Sequence, residues 1–131
     1  MKLDHEYIKK ILEAFEKIEK PYVNLKEVCI AAEVGLEENA LYHFEILYDM
    51  KLVVRSDGEI GVGATTDENG EPSISVGIFF RLTADGHEYL SSIKKPQIWN
   101  KAKKIAGDLG VGAMKEALKS LTQALINSQI N

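Results

Sequence analysis

His5, His43, His87 and Cys29 carry the donor atoms in this chain best suited to bind a metal or attack an electrophile. They are scattered over different segments, and no two histidines, nor a histidine and the cysteine, stand at the short spacings of a metal site. His87 and Glu88 are adjacent, so on a helix they point about 100° apart and do not act on one group. Cys29 is alone in the apolar run KEVCIAAEV, where a buried, inert thiol is expected. The stretch GEIGVG contains Gly58, Gly61 and Gly63 but precedes no helix, so no helix terminus is at hand to hold a phosphate. There is no P-loop and no nucleophile elbow. These absences lead to the expectation of a non-enzyme with no cofactor and no metal.

Recognition is the chemistry that remains, and it centres on LYHFEILYDM, residues 41 to 50. With Phe44 turned inward, Ala40, Leu41, Leu47 and Tyr48 fall within about 60° of it on a helical wheel. The opposite face carries Glu38, Asn39, Tyr42, Glu45, Ile46, Asp49 and Met50. A helix that reads DNA bases offers arginine, lysine, asparagine or glutamine. Only Asn39 and Tyr42 fit that need, and the three acids would lower affinity for phosphate. Tyr42, Ile46 and Met50 recur at four-residue steps. Three readings of that row stay open: a helix packed on both sides, a protein-binding surface with Asp49 on its acidic rim, and contact with DNA.

The elements that must position this segment are legible as patterns. Residues 3–19 place Leu3, Tyr7, Ile8, Ile11, Leu12, Phe15 and Ile18 at three- and four-residue steps, predicting an amphipathic helix that Pro21 stops. NLKEVCIAAEVG predicts a second helix, with Asn24 as N-cap, Glu27 closing a capping box and Gly35 as the terminating glycine. A third helix then runs into the strand beginning at VVR. VVRSDGEIGVG and ISVGIFFRLT read as two strands, separated by the polar loop ATTDENGEPS with its Asn69-Gly70 turn signal. Thr83 is the expected N-cap of a fourth helix. Pro96 interrupts it, and helical pattern resumes in IWNKAKKIAGDL. Gly107, Gly110 and Gly112 form a joint before a last helix, where Met114, Leu118, Leu121 and Leu125 step by four, three and four. The predicted fold class is α+β, a winged helix-turn-helix over residues 1–93 with additional C-terminal helices over residues 94–131.

Charge is divided along the same boundary. Residues 1–93 hold 9 Lys+Arg against 18 Asp+Glu, whereas residues 94–131 hold 7 lysines against 2 acids. A duplex-binding domain needs a basic patch, and here the larger part is acidic. The tail lysines, Lys94, Lys95, Lys101, Lys103 and Lys104, fit a solvated face, a contact with the acidic body of a second subunit, or a phosphate contact. At 45% hydrophobic and 27% charged the composition is that of a globular protein. No apolar run approaches the ~20 residues that span a bilayer. MKLDHEYIKK is no signal peptide, so a cytoplasmic location is expected.

RLTADGHEYLSSIKKPQIWNKAKK adds a resemblance. Arg81-Leu82-Thr83, Gly86-His87-Glu88-Tyr89-Leu90 and Ile98-Trp99-Asn100-Lys101 closely resemble a family of small bacterial and prophage winged-helix proteins catalogued as a domain of unknown function. KLDHEYIKKILEAFE and LYHFEILYDMKLV fit its opening and its third helix, and the likeness covers roughly residues 2–104. It implies a fold and no activity.

The expectation is therefore a non-enzymatic, phage-related regulatory or interaction module that binds a protein partner through Tyr42, Ile46, Met50 and Asp49. The alternative is a winged-helix transcriptional regulator. There Asn39, Tyr42 and His43 would meet the groove, and Arg55, Arg81, Lys101 and Lys104 the phosphates. A homodimer through Met114, Leu118, Leu121 and Leu125 is expected if that seam does not pack on the first helix of its own chain.

Overall fold

The structure is a computed structural model that describes residues 1–130. Its order is α1 (His5–Lys17), α2 (Leu25–Ala32), α3 (Glu38–Asp49), β1 (Val53–Arg55), β2 (Ala64–Thr66), β3 (Pro72–Ile74), β4 (Phe80–Leu82), α4 (Ala84–Ile93), α5 (Pro96–Ala106) and α6 (Val111–Ile130). This is an α+β fold of six helices and two small antiparallel sheets, one pairing β1 with β4 and the other β2 with β3.

Local chemistry starts and stops the helices. Asp4 caps α1, its carboxylate accepting from the amides of Glu6 and Tyr7. Asn24 and Glu27 form the expected capping box of α2. That helix ends on Glu33, which takes the left-handed conformation (φ 59°) in place of Gly35. Thr83 caps α4, and its hydroxyl accepts from the Gly86 amide at 3.0 Å. Pro96 opens α5, where its missing N–H costs nothing. Gly112 is not part of the expected joint but lies inside α6.

The two long strands expected before and after the polar loop are shorter and doubled. Val53, Val54 and Arg55 pair with Leu82, Arg81 and Phe80. The polar loop itself forms a second pair, with Ala64, Thr65 and Thr66 opposite Ile74, Ser73 and Pro72. Gly58, Gly61 and Gly63 all have positive φ, which bends the chain out of extended geometry between β1 and β2. A further bridge joins Val23, between α1 and α2, to Phe80 through paired backbone hydrogen bonds of 2.9 and 2.7 Å. The β1–β4 ladder is thereby extended by the segment that leads into α2.

One hydrophobic core unites all six helices. Phe44 is fully buried at its centre, edge-on to Phe80 with ring centroids 4.8 Å apart and stacked toward Phe15 at 6.4 Å. Residues from 94 onward pack on this body. Trp99 and Met114 are buried, and α6 lies against α5 and α4. Three tail lysines meet carboxylates of the first part: Lys94 with Glu16 at 2.7 Å, Lys103 with Glu6 at 2.9 Å and Lys115 with Asp85 at 2.9 Å. No helix among the described residues is long and apolar enough to cross a membrane.

Candidate recognition surface on the third helix

Ala40, Leu41, His43, Phe44 and Leu47 form the buried face of α3. Across the helix, Glu38, Glu45 and Asp49 are exposed, while Asn39, Tyr42, Ile46 and Met50 are half-buried. The row Tyr42, Ile46, Met50 is therefore neither core nor free. Ile46 and Met50 pack partly on the core cluster, and the end of the Met50 side chain approaches Gly112 in α6. Tyr42 sets its ring edge-on to His43 at 5.1 Å. One edge of the row is packed and the other meets solvent.

His43 does not belong to this surface. It is fully buried, so it is withdrawn as a contact for a DNA groove. Its Nε2 accepts from the Asp4 amide at 3.0 Å, which leaves Nδ1 to donate to the Asn39 carbonyl at 2.8 Å. Tyr7 stacks on its ring at 4.5 Å. His43 thus joins the N-cap of α1 to the first turn of α3. The Tyr7 hydroxyl is buried without a partner among the described residues, and burial pushes its pKa up to about 12.

The β2–β3 hairpin reaches the start of α3. Gly70, in its turn with φ 77°, lies so close to Glu38 that a Cβ there would sit 2.9 Å from the carboxylate oxygen. The Asp67 carboxylate shapes the turn by accepting from the amides of Asn69 and Glu71, both at 2.9 Å. Glu68 and Glu71 remain exposed beside it. At the other end of α3, the Tyr48 hydroxyl accepts from the Gly61 amide at 2.8 Å and holds the loop that follows β1. The result is an acidic surface made of Glu37, Glu38, Glu45 and Asp49 together with the hairpin's Asp67, Glu68 and Glu71. No ion pair among the described residues engages any of the seven.

The cations proposed for phosphate contact are otherwise occupied or distant in the chain. Arg55 is gripped by Asp57 through two hydrogen bonds of 2.9 and 2.7 Å, and it also donates to the carbonyls of Ile60 and Gly61. The Asp57 side chain next to it raises the guanidinium pKa, and the guanidinium in turn lowers that of Asp57. Arg81 is exposed and donates to the carbonyl of its neighbour Leu82. Lys101 and Lys104 are exposed on α5, whose neighbour Lys103 is tied to Glu6 of α1. Lys103, hydrogen-bonded to the Glu6 carboxyl, holds that group's pKa below its ordinary value, helped by the Trp99 indole N–H at 3.2 Å.

The remaining residues with chemical potential lie apart from α3's outer face. Cys29 is buried, and desolvation, with a smaller contribution from Glu37, pushes its thiol up to about 11. His5 is buried, with Nε2 against the Leu109 carbonyl at 2.9 Å, whereas His87 is exposed on α4. Among the described residues no three His, Cys, Asp or Glu side chains are grouped to hold a metal ion. Of the seam expected to dimerise, Met114 and Leu118 are buried in the chain's own core between α6, α5 and α4, so they cannot face a second copy. Leu121 and Leu125 remain half-buried.

Two features were missed by pattern reading. The Val23–Phe80 bridge involves a single residue between two helices, too short a segment to register as a strand. The return of the hairpin to Glu38 had a partial signal in Asn69-Gly70, which marks the turn but not where it lands. No curated protein and no solved structure matches the chain. Residues 2–112 match the family described as "Hypothetical protein (DUF2513)", and the chain belongs to that family.

Proposed function

We propose that the chain is a non-enzymatic regulatory or interaction module of winged-helix type, binding a protein partner through the outer face of α3 and the β2–β3 hairpin. The winged-helix reading is supported by element order: three helices, then strands that pair across a hairpin. The bridge from Val23 ties the segment that leads into α2 to β4, next to that hairpin. The observation that carries the partner reading is the set of seven carboxylates free of ion pairs around the half-exposed Tyr42 and Ile46. Such a surface suits an apolar protein patch rimmed by lysine or arginine.

DNA binding is the second reading, favoured by the same layout. It asks Asn39 and Tyr42 to read bases beside acids that repel phosphate, with Arg81, Lys101 and Lys104 as the exposed cations.

The deciding measurement is fluorescence anisotropy with random-sequence duplex DNA at about 50 mM and about 200 mM salt. The expected result is no binding at either. Affinity that collapses between the two would install the DNA reading instead. For the protein partner, affinity capture with the intact chain should retain a protein that Tyr42→Ala and Ile46→Asp both release. Equal capture by those variants would move the partner site off α3.

A further inference from the structure

The stretch RLTADGHEYL, residues 81 to 90, is largely consumed by the fold. Leu82, Tyr89 and Leu90 are buried, and Thr83 caps α4. Arg81 and His87 are left exposed. Among the described residues the Arg81 guanidinium makes one hydrogen bond, to the Leu82 carbonyl at 3.2 Å, which leaves most of its N–H donors free.

Both side chains line a groove between α1 and α4. It consists of two adjoining cavities of about 380 and 420 Å³ that share Glu16, His87 and Leu90. These are volumes of the size that small-molecule sites have. The charged lining is Lys20, Arg81, Lys94 and Lys95 against a single carboxylate, Glu16. Lys94 already engages Glu16 at 2.7 Å, and Lys20 is held by Glu27 at 2.6 Å. Arg81 and Lys95 remain without an ion pair among the described residues. Two other cavities are balanced instead. The α4–α6 groove sets Asp85 and Glu88 against Lys115 and Lys119, and the hollow at the start of α1 sets Asp4 and Glu6 against Lys2 and Lys103. A local surplus of cations in a chain of net charge −4 selects an anion.

The shape selects a short one. His87 and Lys94 lie on one face of α4, about 10 Å apart along its axis. A long polyanion that overran this groove would meet the acidic body, whereas a small one stays among the cations. The cavity that holds Arg81 is also walled by Phe15, Pro21 and Leu82, which offer an apolar surface to whatever carries the charge. A guanidinium suits phosphoryl oxygens, since its planar fork presents paired donors to them.

We infer that the α1–α4 groove binds a small organic phosphate, its phosphoryl oxygens accepting from Arg81, His87 and Lys95 and its organic part resting on Phe15, Pro21 and Leu82. No residue of α3 or of the β2–β3 hairpin lines this groove, so the site stands apart from the protein-binding surface and is tested separately from it.

Isothermal titration of the full chain with ATP, free of divalent cations and at about 50 mM salt, tests the assignment. ATP is expected to bind with a dissociation constant below about 1 mM. Arg81→Gln and Lys95→Gln should each weaken it at least about fivefold, the loss of one charge-assisted contact. Lys101→Gln makes the same change of charge on an exposed lysine of α5 outside the groove, and it should bind as the wild type does. Inorganic tripolyphosphate should bind more weakly than ATP, because it leaves the apolar wall unused. Absence of ATP binding up to about 1 mM overturns the proposal. So does equal weakening by Lys101→Gln, which would mean unspecific attraction, or tripolyphosphate binding as tightly as ATP. Random-sequence duplex DNA that displaces ATP at equal phosphate concentration would put a nucleic-acid backbone in the groove and overturn it as well.

Discussion

Gly86, in the first turn of α4, lies directly against the carbonyl oxygen of Leu52, and a Cβ at that position would collide with it. The same oxygen accepts from the Thr83 amide at 3.0 Å, and the Thr83 hydroxyl donates to the Lys51 carbonyl at 2.6 Å. Lys51 itself turns with φ 59°. The stretch Arg81-Leu82-Thr83 followed by Gly86 is thus a joint that seats α4 on the turn between α3 and β1. The obstacle is backbone and cannot swing aside, so Gly86→Ala should destabilise the protein by about 1–3 kcal/mol, the ordinary range for overpacking. Chemical denaturation checks this; an unchanged midpoint would refute the close approach.

His43 should be structural rather than functional. His43→Phe keeps a ring to stack on Tyr7 but strips partners from the Asp4 amide and the Asn39 carbonyl. The expected loss is about 1–3 kcal/mol for unsatisfied buried groups. Thermal unfolding of the variant at neutral pH measures it, and a variant as stable as the parent would show that those hydrogen bonds carry no net weight.

Cys29 should resist modification in the folded protein. Burial raises its pKa to about 11, so little thiolate exists at neutral pH and reagents cannot reach it. Labelling with an aromatic disulfide reagent is expected to be slow in buffer and to accelerate in step with unfolding as guanidinium is added. Prompt stoichiometric labelling of the native chain would contradict the geometry.

Glu6 should give the fold a component of acid sensitivity. Its pKa is lowered in the folded chain from an ordinary 4.5, chiefly by the hydrogen bond from Lys103. Stability from this carboxylate is therefore present above the ordinary value and lost as pH falls through the lowered one. Because the pair is largely exposed, the amount is expected to stay below about 1 kcal/mol. Melting temperatures of the wild type and Glu6→Gln, compared from about pH 7 down to about pH 3, should converge on the acid side. Parallel curves would rule the contribution out.

Tyr7→Phe should be neutral or slightly stabilising, since it removes a buried hydroxyl that has no partner among the described residues. A loss of more than about 1 kcal/mol in denaturant would mean that the hydroxyl is hydrogen-bonded in solution.

What could be read from the residues was local. Asn24 with Glu27, Thr83 with Gly86, and Pro96 each act within four positions of the chain, and the structure contains all three devices. The inward face of α3 followed from helical periodicity around Phe44, although Tyr48 is only half-buried because its hydroxyl reaches out to Gly61. Pairings across long separations were not legible. Nothing near Lys103 specifies that its partner is Glu6, and nothing near Val23 specifies Phe80. The grip of Asp57 on Arg55 was within reach, since they stand only two positions apart. In the sequence, phosphate contact and pairing with the local acids are equally open to Arg55, and the structure contains the pairing. His43, which the DNA reading assigns to the groove, is instead satisfied inside by two backbone partners.

The junction of α1 with α5 has a consequence for how the chain is made. The first turn of α1 is fastened by Trp99 and Lys103 to Glu6 and by the Leu109 carbonyl to His5. At ordinary translation rates of about 5–20 residues per second, those fasteners leave the ribosome on the order of 5–20 seconds after α1 does. Until they emerge, the nascent helix must hold its apolar stripe against α2, α3 and α4 without them.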